Sequence, residues 1–528
     1  MNGFKKVFAG LFFARTSSKL SASPNFPIAC DLAGMSSYLE LVLIGTMILA
    51  IVRVLFSDLL PSVFGGYADQ RFLLCLIFGV LAPTCAFFFL WRRTVSLTGA
   101  SWALKPALIL SLAFLSFPLP FMNLPYLWVE PGMYALFFGV PLALGGVLSW
   151  TGGINGYTRF LVLISAAFCA FYGLSTINVY LFAIFDGVTK LTNFVPEGFV
   201  NIRYWSHVAT WLLPLMPLAV LWGPEKNQRL WRVLVAVGSG LWWWIIFLSS
   251  ARGSALGLVF GVILVGFLFG RRIAPWLKLL FLHVGLGAVF WLLLSVAIPT
   301  LLADEMQLRS LSTDSSGRWP LWVEAWKMSL QNFPFGMGPQ SWLTHAPITE
   351  AYANGKKFGH PHNMYLMWAA EYGWLFILMV AIVVALAIRR FWKRRTELMA
   401  RNDSRQLLLL AGFTASVSAA LFHAGVSAVF MAPGSMLVGL FVLIGFWALI
   451  QPTATSQNLR PVPERQSRFR FFAAMALVAA LISLWALWAR EVWHYYQDMR
   501  ADERHYQEHV REGTQPRFWL HGNFPRDE

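Results

Sequence analysis

The sequence predicts an all-α polytopic membrane protein with about 13 transmembrane helices. Its N-terminus is placed in the cytoplasm, and one long loop carrying an amphipathic helix lies on the outer side. Three observations predict this. Of 528 residues, 57% are apolar and 12% charged, with mean hydropathy +0.59, which is too apolar for a soluble domain. Apolar runs long enough to cross a bilayer recur along most of the chain. When those runs alternate in direction, the basic loops between them fall on one side, as membrane insertion demands.

The chain opens with 1-MNGFKKVFAGLFFARTSSK-19, basic and only briefly apolar. Segment 1–39 therefore reads as a cytoplasmic amphipathic segment lying on the membrane rather than a signal peptide. The helical domain, 40–490, has spans near 40–60, 72–91, 106–122, 132–150, 160–185, 204–222, 230–248, 254–270, 276–299, 364–388, 406–424, 434–450 and 471–490. Arg92 and Arg93, Lys226, Arg229 and Arg232, Arg271 and Arg272, 389-RRFWKRR-395, and Arg460, Arg465, Arg468 and Arg470 then share a side with Lys5, Lys6, Arg15 and Lys19. The formal charge of +16 is thus accounted for by helix ends, and no basic patch interleaves with aromatics as a nucleic-acid binder requires. Cys30, Cys75, Cys85 and Cys169 form no CxxC pair, so neither a disulfide framework nor a zinc site follows.

The outer side holds one long loop, 300–362, rich in Asp, Glu, Ser, Asn, Gly and Pro. Within it, 318-RWPLWVEAWKMSLQ-331 has apolar residues at 319, 322, 323, 326 and 330, and polar ones at 318, 324, 327 and 331. That period predicts a helix with a Trp-rich face lying in the membrane interface. The polar linker 451–469 is cytoplasmic, and the charged, aromatic tail 491–528 is an outer helix or arm.

Positive charge is depleted on the outer side, so each arginine there needs a reason. Arg252 sits in the short hairpin 249-SSARGSALG-257, Arg203 precedes another span in 201-NIRYWSH-207, and Arg318 opens the interfacial helix. Guanidinium groups bind phosphate oxygens in pairs, so a phosphate or pyrophosphate at the membrane surface is one reading. Separate arginines snorkelling to lipid headgroups is the other. Arg53 falls inside the first span and is left outside this set. In 360-HPHNMYLMWAAEYG-373, His360 and His362 offer a general base, and Asn363 can orient an imidazole or bind substrate. The competing reading is a polar helix start without chemistry. Glu371 lies inside the span, either as a bundle strut or in a direct role. His207, His423 and His283 read as structural. Asp304 and Glu305 are only weak partners for a metal held by the two histidines. There is no HExxH, Gly-rich phosphate loop or GxSxG.

The pieces 249-SSARGSALGLVFG-261, 316-SGRWPLWVEAWKM-328, 335-FGMGPQSW-342 and 360-HPHNMYLMWAAEYG-373, in that order, resemble the O-antigen ligase/polymerase superfamily of membrane glycosyltransferases, over roughly residues 200–375. The resemblance implies a glycan donor carried on undecaprenyl pyrophosphate and metal-independent transfer, without cofactor, at the periplasmic face of the bacterial inner membrane. By matching positions it implies that Arg252 and Arg318 clamp the pyrophosphate and that His362 is the base. Arg203, His360, Asn363 and Glu371 are expected to bind substrate. Three acceptors stay open: the lipid A core (ligase, favoured by the single long loop and the lack of a large C-terminal domain), another glycan repeat (polymerase), or a protein hydroxyl (oligosaccharyltransferase). A polyprenyl-glycan transporter is the non-enzymatic alternative. It expects a site near the bilayer midplane.

Overall fold

The computed structural model describes residues 28–57, 66–91, 97–188, 191–200, 202–224, 227–302, 317–451, 464–509 and 516–525. Most of the expected N-terminal amphipathic segment, and Asp304 and Glu305, lie outside these. Among the described residues every regular element is helical. The helices are α1 (Ile28–Leu55), α2 (Tyr67–Trp91), α3 (Leu97–Ser116), α4 (Val129–Thr151), α5 (Ile154–Phe185), α6 (Ile202–Leu212), α7 (Met216–Leu221), α8 (Gln228–Ser249), α9 (Arg252–Phe269) and α10 (Ala274–Trp291). They continue with α11 (Ile298–Leu302), α12 (Arg318–Gln331), α13 (Ser341–Thr344), α14 (Glu350–Ala353), α15 (Met364–Ala400), α16 (Ser404–Ala424), α17 (Pro433–Ile450) and α18 (Glu464–His509).

Twelve continuous stretches of described residues are long and apolar enough to cross a membrane. One of them, Arg252–Leu301, has 50 residues. As a single helix it would measure about 75 Å, against a hydrocarbon core of about 30 Å. It is two passes, separated at Gly270 (φ +58°). α9 runs antiparallel to α16: a Cβ on Gly253 would stand 3.0 Å from His423, and one on Gly261 2.5 Å from the Ala415 carbonyl. α10 returns alongside α8, with Gly287 against Trp243 and the Trp244 indole donating to Ser295 at 2.8 Å. The expected thirteen spans and the twelve continuous stretches differ by this one join.

Close approach is built in by small residues. Gly253, Gly257 and Gly261 recur every fourth position on α9, and a Cβ at Gly257 or Gly261 would lie 2.7 Å or 2.5 Å from the carbonyls of Ala419 and Ala415. Such a stripe lets two helices pack backbone to backbone in lipid.

α15 is broken at Gly373 (φ +85°). A broken membrane helix must have its freed backbone groups satisfied by protein. Here the loop after α12 does so: Met337 donates to Ala370 O at 2.8 Å and Gly338 to Glu371 O at 2.9 Å. Any side chain at Gly373 would collide with Pro334 O, at 2.1 Å from its Cβ.

Arg53 lies inside the first apolar stretch, Tyr38–Leu55, in the last turn of α1, and donates to Gly66 O at 3.2 Å. In α12, Trp319 is 66% and Trp326 47% exposed, whereas Glu324 is buried among Leu321, Ala325 and Met328. The Trp face looks outward, as an apolar face does when its solvent is lipid. The carboxylate looks inward because donors await it: Ile348 N at 2.7 Å, Thr349 N at 2.9 Å and His345 Nε2 at 3.0 Å. Burial raises the Glu324 carboxyl, but these donors outweigh it and hold the group below its ordinary range. Glu324 thereby staples the long loop to α12. At the C-terminal end, α18 passes the expected boundary at 490 without interruption, and residues 516–525 fold back onto the bundle.

Candidate functional site

Four elements bring chemistry to one end of the bundle. α6 presents Arg203 and His207 in its first turns. α8 ends at Ser250 in a left-handed conformation (φ +48°), which reverses the chain so that Arg252 opens α9 two residues later. Gly317, also left-handed, places Arg318 at the first position of α12. The last contribution is the segment 358–363 ahead of α15.

The local fold of that segment follows from its sequence. Pro361 disfavours a helical His360. His362 then takes φ +55°, which a residue with a Cβ adopts only when its surroundings impose it. This turn swings the His362 ring to a centroid separation of 4.3 Å from His360. The His362 N–H donates to His360 Nδ1 at 3.1 Å, so the His360 proton sits on Nε2. Asn363 caps α15, its Oδ1 accepting from Tyr365 N and Leu366 N, both at 3.1 Å. The side-chain carbonyl of Asn363 is therefore committed to the helix, leaving its amide NH2 for any ligand.

Arg203, Tyr204, His207, His360, His362 and Ser427 line a cavity of about 150 Å³. The three arginines sense one another: burial, then Arg203 and Arg252, lower the Arg318 pKa. His360 is pushed down to about 3 by burial, then by Arg517, Arg203 and Arg318. Burial, followed by His360, Arg203, Arg318 and His207, holds His362 well below its ordinary range. Both imidazoles are neutral at pH 7. The His362 Nδ1 is buried and has no hydrogen-bond partner among the described residues. The arrangement offers concentrated positive charge for an anion and, beside it, a neutral nitrogen able to accept a proton.

A second layer supports the first. His207 Nε2 is 2.8 Å from Ser427 Oγ, and His423 Nδ1 is 3.0 Å from Thr210 Oγ1. The two rings meet edge-on with centroids 4.9 Å apart. His283 is buried on α10, away from this cluster. Among the described residues no group of His, Cys, Asp and Glu has the geometry to hold a metal ion.

Glu371 is placed as a strut. It is 1% exposed, and both its oxygens accept from Arg517 Nη2 at 2.7 Å while Trp342 N donates at 3.2 Å. Arg517 also grips Glu130 on α4, at 3.0 Å and 2.9 Å. These two carboxylates outweigh the desolvation of Arg517 and hold its pKa well above the ordinary value. The tail is fixed further by Arg71, which donates to the Phe518 carbonyl at 3.0 Å, and by Tyr67, which donates to the Arg517 carbonyl at 2.9 Å. Neither Arg517 nor Glu130 was singled out from the sequence. The available signal was an isolated charge in each of two apolar contexts, 128-WVEPG-132 and 516-PRFWL-520.

Residues 234–381 match the family model for O-antigen ligase, Wzy_C. The matched segment contains Arg252, Arg318, His360, His362, Asn363 and Glu371 and excludes Arg203 and Arg517. No curated protein and no solved structure matches the chain.

Proposed function

Taking the chain as a multi-pass membrane protein of the O-antigen ligase superfamily, we propose that it transfers a glycan from an undecaprenyl-pyrophosphate carrier to an acceptor hydroxyl at the periplasmic face of the inner membrane, with the lipid A core as acceptor. One observation carries this reading: Arg203 and Arg318 act on His360 and His362, and Arg252 on Arg318, at a single end of the bundle. The end bearing Arg271, Arg272 and the 389–395 cluster is the opposite one. The positive-inside rule gives that basic end to the cytoplasm and the site to the periplasm.

In the proposed step, the acceptor oxygen attacks the anomeric carbon and its proton passes to His362 Nδ1. The bond from that carbon to the pyrophosphate oxygen breaks, and undecaprenyl pyrophosphate leaves with the electron pair. A single displacement inverts the anomeric centre. The arginines stabilise charge that grows on the leaving group, and because they are already in place they need not reorganise. His362 is the catalytic base, worth about 10²–10⁴-fold. Arg252 and Arg318 contact the diphosphate, and Arg203 and His360 complete the wall around it.

The test is His362→Ala, assayed with purified protein and lipid-linked donor. Transfer should fall by at least about 10²-fold while the protein still folds and donor accumulates. Normal product from this variant would retire the assignment. Deletion in the native host separates the acceptors: loss of capped lipopolysaccharide supports the ligase reading, while loss of long chains or of glycosylated protein would replace it.

A further inference from the structure

We propose that the cavity adjoining the arginine–histidine site is a binding subsite for a sugar ring. The inference deepens the glycosyl-transfer reading and rests on it. The cavity has a volume of about 340 Å³ and is bordered by Tyr67, Gln70, Phe199, Tyr204, Gly434 and Leu520. That volume sits at the lower end of small-molecule pockets and suits a single ring or little more.

Its chemistry selects the ligand. Among the described residues no charged side chain borders it, which argues against a second diphosphate site. It is not uniformly apolar either, as a groove for a prenyl chain would be. Ring faces alternate with neutral hydrogen-bonding groups. The Tyr67 and Tyr204 rings lie with centroids 5.3 Å apart at 47°, and Phe199 packs against them. Between the rings stand phenol oxygens, an amide and the backbone of glycines. A pyranose presents this combination in reverse, with C–H faces for the aromatic rings and hydroxyls for the polar groups.

A second, independent observation points to a ligand. Gln70 is 6% exposed, borders the cavity, and its side-chain oxygen lies beside Gly434 on the same wall. An amide that faces a cavity can both donate to and accept from a sugar hydroxyl. Position supports the assignment as well. The Tyr204 ring belongs to both cavities, so a ring in one lies next to a diphosphate or acceptor in the other. Every described residue bordering the cavity falls outside the matched segment 234–381. Shared transfer chemistry inside that segment, and sugar selection outside it, is the division this placement implies.

The ring can belong to the donor or to the acceptor, and binding separates the two. Full-length protein in nanodiscs is titrated with bare undecaprenyl pyrophosphate and with undecaprenyl-pyrophosphate-linked N-acetylglucosamine. A donor subsite gives about tenfold tighter binding of the sugar-bearing carrier. Gln70→Leu should remove most of that difference and leave the affinity for bare carrier in place. Leu520→Trp, which narrows the cavity from the tail while leaving the sequence of α2 unchanged, should act the same way. An acceptor subsite leaves the two carriers equal, and saturation-transfer NMR then detects methyl glycosides of glucose, galactose or N-acetylglucosamine, with a signal that both variants lose. If wild-type protein discriminates in neither assay, or both folded variants behave as wild type, the subsite is overturned. Failure of bare carrier to bind, or indifference of its affinity to Arg252→Ala, would instead defeat the diphosphate reading, and the glycoside signal would still decide the cavity.

Discussion

Replacing Arg517 with Met should destabilise the protein more than any other single change at the site. The guanidinium is 1% exposed and holds two buried carboxylates at 2.7–3.0 Å, Glu130 and Glu371. Methionine fills much of the volume but supplies neither charge nor donor. Removing one partner from a buried ion pair typically costs about 3–5 kcal/mol, because the remaining charge is stranded. Two carboxylates are stranded here, so the upper part of that range applies. The consequence reaches the site through Glu371, which accepts Trp342 N and lies at the break of α15, the helix that begins just after His362. Thermal unfolding of purified protein, followed by tryptophan fluorescence, should show a fall on the order of 5 °C or more. The diagnostic result is a cycle. Glu371→Gln added to Arg517→Met should recover part of the loss, since a neutral amide needs no counter-charge, so the pair should be less destabilised than the sum of the single changes. A variant melting within a degree of wild type, or additive single and double losses, would refute the strut.

The leaving-group arginines give a second expectation: Arg252→Ala and Arg318→Ala should each cost several kcal/mol in kcat/KM for lipid-linked donor, roughly the value of a preorganised charge contact, and Lys at either position should rescue only partly. Gly261→Ala places a Cβ 2.5 Å from the Ala415 carbonyl, so α9 must move off α16; a loss of about 1–3 kcal/mol is expected in the same unfolding assay, and an unchanged melting temperature would argue against the tight crossing. Acid stability tests His360. Its folded pKa of about 3 lies below the ordinary value near 6.5, so its contribution is complete above pH 6.5 and is lost as pH falls toward 3. Stability should decline over that window, and His360→Asn should flatten the decline.

Hydropathy and charge made most of the bundle legible, because a membrane span declares itself within about twenty consecutive residues. The arginines and the His-Pro-His-Asn stretch were visible for a similar reason: each is a local exception to a local rule. Pairings over long sequence separations were hidden. Glu130 and Arg517 stand 387 positions apart, and neither carries a neighbouring pattern that names its partner. The outward Trp-rich face of α12 was legible from its period, but the inward turn of Glu324, one of its polar positions, was not. At a lipid boundary Trp319 and Trp326 find their apolar solvent outside, and Glu324 can turn inward because the loop at 345–349 supplies donors. The cavity bordered by Gln70 was hidden too, since its walls come from α2, the loop at 198–200 with the start of α6, the junction of Ala432 with the start of α17, and the tail.

The depressed basicity of His362 poses a question that the arginines answer. An imidazole held well below its ordinary pKa is a poor proton acceptor, yet the proposed step asks it to take one. Burial comes first among the causes, followed by His360, Arg203, Arg318 and His207. Burial remains when donor binds, but a diphosphate held by Arg252 and Arg318, with Arg203 in its wall, offsets the repulsion that Arg203 and Arg318 exert on an imidazolium. Proton affinity at His362 therefore rises in the donor complex, when it is needed, and the free site is kept neutral and ready. The sign of this coupling is measurable. The profile of kcat/KM reports the free enzyme and that of kcat the complex, so the acid limb of kcat should lie at higher pH than the acid limb of kcat/KM. Arg318→Gln should move the kcat/KM limb upward and narrow the gap. Coincident limbs in wild type, or a kcat limb on the more acidic side, would mean that the arginines do not set the basicity of His362.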